Sequence, residues 1–381
     1  MLALLATYSL CAPAPYAPPP VYRITASSLH DAGLQHGRLA RKRIAGWLAT
    51  EEMRGVINFT SSSAGQPAFL RMKEENSKAF PELAREIEGM AVGSRLPLDE
   101  IWAATLINEL ESLMTNGGGQ WPPSDGSLAS PRRAGHCSDV YAVSEGGGYA
   151  HGHNEDWPGP IWQFWYFVAY TAAPGAEFES CAGMVYPGGL VGWAGTWNAH
   201  GVYLTQNSLF PRKTLEGGLS SAFMQRNALC GTATAGKGLD AIIGAMTAPH
   251  AGVGWSSGAS VNLVSLHERR MANVEVHEAR HSVHEVRMDG AANYSHFNMY
   301  KHLEVGVADG PENSTLHRQA RVDALPPARS LADVKARLSD TADSAYPIFR
   351  DMTLTSLVLD GASGRLNVWC CRHSALDGPP A

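Results

Sequence analysis

The sequence predicts a layered α+β fold, and three observations carry that prediction. Up to Asn116 apolar residues recur at helical spacing, as in Phe80, Leu83, Ile87 and Met90. From Cys137 onward the texture changes to short alternating segments rich in β-branched and aromatic residues, separated by Gly, Pro or Asn. The later segments run as strands, then helices, then strands, which fits helices layered on sheets better than a parallel βαβ series. With 381 residues, 44% of them hydrophobic and 17% charged, the chain has ample material for a buried core.

Composition excludes several function classes. A net charge of -6 offers no basic face for nucleic acid. No run approaches the roughly 18 apolar residues of a membrane span, so neither nucleic acid nor membrane is an expected partner. The six cysteines, Cys11, Cys137, Cys181, Cys230, Cys370 and Cys371, are too sparse for a disulfide framework, and the adjacent Cys370–Cys371 pair is a poor bridge. A reducing, cytoplasmic setting is the default expectation. Met1 to Leu10 is apolar but lacks a positive leader segment, so secretion is the lesser expectation. There is no C-x-x-C, and no metal or other cofactor is expected.

In chain order, residues 1–20 read as a proline-rich lead-in that is disordered or used for targeting. Val21 to Ile24 reads as a first strand and Ser28 to Leu48 as a helix, with Gly33 and Gly37 on one face as a close-packing groove. Gly93 is the expected stop of the helix carrying Met90, and a further helix runs from Leu98 through Leu113. Glu109 on that helix is expected to be solvated. Asn116 to Arg133, with Gly117-Gly118-Gly119 and Pro122-Pro123, reads as a long exposed loop. Strands are expected at Val140–Ser144, Tyr149–His153, Phe164–Ala172, Cys181–Tyr186 and Gly201–Asn207. Helices follow at Leu219–Cys230 and Gly238–Met246, then strands at Ser260–Leu266, Ala272–His277 and Val283–Arg287. A helix at Leu331–Leu338 and a hairpin of Thr355–Asp360 with Leu366–Cys370 close the chain.

The loop ends on Gly135-His136-Cys137-Ser138-Asp139, and a polar cluster returns at His151-Gly152-His153-Asn154-Glu155-Asp156. Cysteine is a strong nucleophile once its thiol is ionised. No sequence signature selects a histidine partner for Cys137. Its own α-amine, with a reference pKa of about 7.7–8, would serve as base if the bond after His136 were cut. The Cys137 thiol can make that cut by attacking the His136 carbonyl. Acyl transfer also needs fixed donors for the oxyanion, for which the neutral amides of Asn207 and Asn293 are candidates. Asp156 could orient the amine or bind a cationic substrate group.

These motifs, taken in order, resemble the isopenicillin N acyltransferase-like branch of the N-terminal nucleophile (Ntn) hydrolases. The resemblance spans nearly the whole chain. It rests on Gly33-Leu34-Gln35-His36-Gly37, Glu86 to Ala91, Asn108-Glu109-Leu110, Gly135 to Asp139, His153 to Trp157, Trp197 to Val202 with Asn207, Asn293 to Phe297, Ser314 to Arg318, and the final hairpin. Within that branch the sequence is most similar to β-alanyl-amine hydrolases, which split N-β-alanyldopamine and carcinine.

The resemblance implies a four-layer αββα sandwich forming one domain, cut into a helical fragment (21–136) and a catalytic fragment (137–381) with an extensive shared core. How many such heterodimers associate is left open. It implies Cys137 as the autocatalytic and catalytic nucleophile, Asp156 near its amine, and Asn207 and Asn293 on the oxyanion. His153 stands where related bile-salt and penicillin amidases carry an arginine, and Arg318, with Arg350 as fallback, matches the later arginine. His136 replaces a commoner small residue at the cleavage point. The implied activity is hydrolysis of a small N-acyl amide. The alternatives are an acyltransferase drawing on a thioester such as acyl-coenzyme A, and an inactive binding protein on the same fold.

Overall fold

The computed structural model describes residues 18–116, 137–157, 159–306 and 313–380. The expected lead-in up to residue 17, the Gly/Pro/Ser loop and His136 lie outside the described residues.

Two sheets stack face to face. The larger has eight strands in the order β1 (Val21–Ala26), β4 (Tyr166–Ala172), β5 (Cys181–Val185), β6 (Thr196–Asn198), β7 (Val202–Leu209), β8 (Gly258–Ser265), β9 (Arg270–His277) and β10 (Arg280–Val286). The smaller has five, in the order β11 (Ala292–His296), β2 (Cys137–Val143), β3 (Tyr149–Asp156), β12 (Thr353–Asp360) and β13 (Arg365–Cys370). Pairing is antiparallel throughout except between β1 and β4. Helices cover both outer faces, so the architecture is a four-layer αββα sandwich of the α+β class. Among the described residues no helix is long and apolar enough to cross a membrane.

The outer face of the large sheet is covered by α1 (Leu29–Leu48), α4 (Pro81–Ser94), α7 (Ser221–Cys230) and α8 (Leu239–Thr247). Helix α1 starts where Ser28 accepts a hydrogen bond from the Asp31 amide, the N-cap geometry that satisfies an orphan donor. It packs on α4 through four glycines. A Cβ at Gly33 or Gly37 would run into the backbone of Glu86 or Met90, and one at Gly89 or Gly93 into the carbonyl oxygens of His30 or Leu34. The pair touches backbone to backbone. Gly93 is thus a packing residue inside the helix and not its stop. The helix ends instead at Arg95, in the left-handed region at φ 60°. His36 on α1 then bonds the hydroxyls of Tyr170 and Tyr166 on β4, at 2.8 Å each.

Several sequence expectations change. The helix expected from Leu98 to Leu113 is two, α5 (Leu98–Thr105) and α6 (Ile107–Asn116), broken at Leu106. Two helices, α2 (Glu51–Ser61) and α3 (Gln66–Ala79), and the short β6 were not anticipated. Glu109 is fully buried rather than solvated. Its carboxylate accepts bonds from the Ser221 amide and from the hydroxyls of Ser220 and Ser221, holding the first turn of α7. Cys181 and Cys230 form a disulfide across 49 residues, joining β5 to the end of α7. Among the described residues Cys137 and Cys370 form no disulfide.

On the opposite side α10 (Leu331–Leu338) lies on β2, β3 and β12. Val140, Ala142, Ala150 and Val358 form a small core with Val334 and Leu338 of that helix. Gly152 leaves room for the Val334 and Leu338 side chains. These alternate residues of β2 and β3 face the helices, so the residues between them face the other sheet.

The α1–α4 contact gives a direct test. Gly33→Ala or Gly89→Ala should lose about 2–3 kcal/mol of unfolding free energy in urea, because neither backbone can yield independently. Gly146→Ala, in a turn with nothing near its Cβ position, should stay within about 0.5 kcal/mol of the parent. Equal losses at the two kinds of site would contradict this packing.

Candidate active site

The β2–β3 hairpin pairs Cys137 with Glu155, Asp139 with His153 and Tyr141 with His151. Strand alternation turns all six side chains inward, toward β7 and β8. Each is at most 3% exposed. A sandwich interior is ordinarily apolar, so a seam of ionisable groups at this depth has to be hydrogen-bonded to persist.

Asp139 is the hub of that seam. Its Oδ1 accepts from the Thr205 hydroxyl at 2.6 Å and lies 2.9 Å from His151 Nε2. Its Oδ2 accepts from Asn207 Nδ2 at 2.7 Å and pairs with His153 Nδ1 at 2.8 Å. The other nitrogen of His153 lies 3.0 Å from Glu155 Oε2. Glu155 Oε1 accepts from the Tyr186 hydroxyl at 2.6 Å and from Cys137 Sγ at 3.6 Å. A continuous path of hydrogen bonds therefore runs from β7 through Asp139, His153 and Glu155 to the thiol.

The charges follow from these contacts. Burial alone would push His153 down, but the Asp139 carboxylate and bonds to Asp139, Cys137 and Glu155 outweigh it and carry the imidazole well above its usual value. Burial would likewise raise Asp139, yet the facing His153 charge and the bonds from His151 and His153 hold it well below the carboxylate range. Cys137 is pushed up to about 12, first by burial and then by the Glu155 carboxylate, with His153 pulling the other way. The resting thiol is protonated, next to a cationic imidazole.

The backbone of Cys137 is held from other elements. Its amide donates to Asn298 Oδ1 at 3.2 Å. Arg318, on α9 (Asn313–Asp323), donates through Nη1 to the Cys137 carbonyl at 2.6 Å and to Ser138 Oγ at 3.0 Å, and through Nη2 to Asn298 Oδ1 at 2.8 Å. Asp156 closes this side. It accepts from Arg350 Nε at 3.1 Å and from the Thr353 hydroxyl at 2.6 Å. Burial raises the Asp156 carboxyl, and the Arg350 guanidinium offsets part of that.

Of the residues singled out in the sequence, Cys137, His153, Asp156, Asn207, Arg318 and Arg350 are all placed on these two connected networks. Asn207 reaches Cys137 only through Asp139 and His153, and its Oδ1 accepts from Asn262. Asn293 is a correction. It is exposed and pairs with Ala142, at the far end of β2 from the thiol. Continuing the β11 register from His296 opposite Asp139 puts Asn298 opposite Cys137, and Asn298 is the amide that touches it.

Asp139, Glu155, Tyr186 and Asn298 were not among the residues singled out. The first two carried a legible signal, since a hairpin turning at Ser144 to Gly148 sets Cys137, Asp139, His153 and Glu155 on one face. Beyond Glu155 the wall is aromatic: Trp157 meets Tyr186 edge-on at 5.1 Å, and Tyr186 stacks on Trp193 at 4.6 Å. Trp157 Nε1 donates to Glu52 at 2.7 Å, a buried carboxyl that desolvation lifts to about 7.

No protein-family model matches the chain, and no curated protein matches it. Among solved structures the chain is similar to a mutant of the conjugated bile acid hydrolase from Clostridium perfringens, at 9% identity and a TM-score of 0.35, over 64% of this chain and 94% of that one.

The Asp139–His153 pair makes a stability prediction with a defined pH window. Asp139, held low in the fold, contributes stability above its unfolded value of about 3.9 and loses it as pH falls. His153, held high, contributes fully below about 6.5 and loses it as pH rises through its raised folded value. Asp139→Asn should therefore cost most between about pH 4 and 6.5, on the order of 3–5 kcal/mol, with the gap narrowing on either side. Urea unfolding at a series of pH values measures it, and a pH-independent gap would contradict the pairing.

Proposed function

We propose that the chain is a self-processing cysteine amidohydrolase of the Ntn type, acting on a small N-acyl amide. The observation that carries this reading is the Cys137 thiol. It opens a central strand, with His153 and Glu155 against its sulfur and Asn298 and Arg318 on its backbone.

Before cleavage the Cys137 nitrogen is an amide and cannot serve as base. Glu155 Oε1, 3.6 Å from Sγ, is the acceptor for the thiol proton at that stage. The thiolate, facing the His153 cation, adds to the carbonyl of residue 136. The C–N bond then breaks as the proton passes to the departing nitrogen of Cys137. Water hydrolyses the resulting thioester, returning the thiol and leaving a carboxylate on residue 136. In turnover the freed α-amine, near neutral pKa, takes over as base. Asn298 and Arg318 hold the strand end, and the Asp156–Arg350 pair sets the charge beside it. Asn207 gives one amide hydrogen to Asp139 and has a second to offer an oxyanion.

For the substrate we propose an amide carrying a cationic amine, with β-alanyl amines such as N-β-alanyldopamine and carcinine as the leading candidates. The Glu155 and Glu52 carboxylates and the Trp157, Tyr186 and Trp193 rings support that chemistry, since carboxylate and aromatic face both favour an ammonium group. The Cys181–Cys230 disulfide supports maturation in an oxidising compartment over the cytoplasmic expectation.

Purified protein should run as fragments of about 14.6 and 26.2 kDa, the 40.8 kDa mass divided in proportion to 136 and 245 of the 381 residues. Cys137→Ala should leave a single full-length band. An unprocessed wild type that is nonetheless active would sink the mechanism. Glu155→Gln should slow processing at least about 100-fold, the usual size of a lost general base, as followed by intact mass spectrometry. Amine release should be measured on carcinine, N-β-alanyldopamine and fatty N-acyl amides. Turnover of the fatty amides alone would reject the β-alanyl reading and keep the amidohydrolase. Acyl transfer from acyl-coenzyme A, with no hydrolysis, would replace it with the acyltransferase.

A further inference from the structure

Cys137, His153 and Glu155 present a sulfur, a nitrogen and an oxygen that all lie within 4.8 Å of one another. We propose that these three side chains form a binding site for one borderline-soft divalent cation of the zinc kind, and that the bound cation silences the nucleophile. The claim concerns binding and holds whether or not the chain processes itself.

The spacing is the first argument. Zinc binds sulfur at about 2.3 Å and nitrogen or oxygen at about 2.0–2.2 Å, so in a tetrahedral shell the donors stand about 3.4 to 3.6 Å apart. Here Sγ and Glu155 Oε1 are 3.6 Å apart, and His153 Nε2 and Glu155 Oε2 are 3.0 Å apart. These two distances run to different oxygens of Glu155, so a cation that takes one of them draws the three donors, now within 4.8 Å of one another, closer together.

The surroundings are the second argument. A metal-bound histidine ordinarily gives its other nitrogen to a carboxylate, which fixes the ring and raises its basicity. His153 does this through Nδ1 to Asp139, 2.8 Å away, and Asp139 is anchored in turn by Thr205 and Asn207. The Tyr186 hydroxyl, 2.6 Å from Glu155 Oε1, orients the carboxylate in the same way. Both outer partners are buried, so the ligand geometry is set before any cation arrives.

The donor set decides which cation. Thiolate and imidazole select zinc, cadmium or cobalt over magnesium and calcium, which take oxygen ligands in six-fold or larger shells. Three protein ligands leave a fourth position for water or a substrate group. With its lone pair on the cation, Sγ no longer attacks a carbonyl. The usual sequence signatures do not find such a site, because its ligands come from two adjacent strands and not from one local motif.

Full-length protein, freed of metal by a chelator, should be titrated with Co²⁺, Zn²⁺ and Mg²⁺. We expect one equivalent of Co²⁺ to give a thiolate-to-cobalt charge-transfer band with four-coordinate visible absorption. Zn²⁺ should displace the cobalt, and Mg²⁺ should have no effect. Cys137→Ser should abolish the charge-transfer band. His153→Gln should weaken binding at least about 100-fold, and Asp139→Asn, compared at a pH where it is folded, about 10- to 100-fold.

The adjacent sulfurs of Cys370 and Cys371, 3.0 Å apart, are the competing site, so a Cys370→Ser/Cys371→Ser double variant should bind undiminished. In the wild type, which needs no variant to fold, native mass spectrometry should count one Zn²⁺ per chain, removed by a chelator. Binding lost in the double variant, or a charge-transfer band that survives Cys137→Ser, would overturn the proposal. So would a wild type that holds no Zn²⁺ under native mass spectrometry.

Discussion

The candidate site depends on one buried carboxylate, Asp139. It lies at zero exposure between two sheets, with Thr205 and Asn207 reaching it from β7 and His151 and His153 from β3. An unpaired carboxylate at that depth would be prohibitively costly, and four partners make it tolerable. Because those partners come from both sheets, the same bonds set the spacing and register of the sheets. They also fix His153, and through His153 and Glu155 the position of the thiol.

The seam extends well past the thiol. Tyr141 donates to Asn262, which donates to Asn207, while Asn273 donates to both Ser260 and Asn262. Glu275 caps the far end, pairing with His296 and accepting amides from Lys301, His302 and Leu303. A chain of hydrogen-bonded polar groups is directional where an apolar core is not, and that directionality fixes the side chains around the thiol. The apolar work is done elsewhere, by α1 on α4 and by α10 on the back of the small sheet.

The resting thiol is protonated, buried and facing a carboxylate, which leaves it unreactive until a base and a carbonyl are both in place. His153 stands where a guanidinium is expected from the resemblance, and Asp139 explains how a histidine can stand in for a fixed charge. An imidazole against a buried anion holds its proton through neutral pH. Unlike a guanidinium it can also give that proton up, which makes this centre responsive to pH and open to metal in ways an arginine-based one is not.

Much of this was legible in the residues themselves. The strands flanking Cys137, the helix at Leu331–Leu338, the final hairpin and the glycine face of α1 all follow from local period and turn chemistry, which depend on near neighbours alone. So does the face shared by Cys137, Asp139, His153 and Glu155, once the turn between the strands is counted. Helices α2 and α3 were not legible, because their apolar stripes become meaningful only against the elements they cover. Glu109 reads as a solvated charge until α7 is brought over it.

The Cys181–Cys230 bridge and the replacement of Asn293 by Asn298 required the tertiary structure for the same reason. Pairing across 49 residues, and register along β11, are set by which surfaces meet, and no local pattern encodes that. The sequence alone determined that a strand would follow the thiol and that a polar cluster would return from the next turn. Only the packing of two sheets decided that Asp139 would be stripped of water, and so which charge His153 would carry.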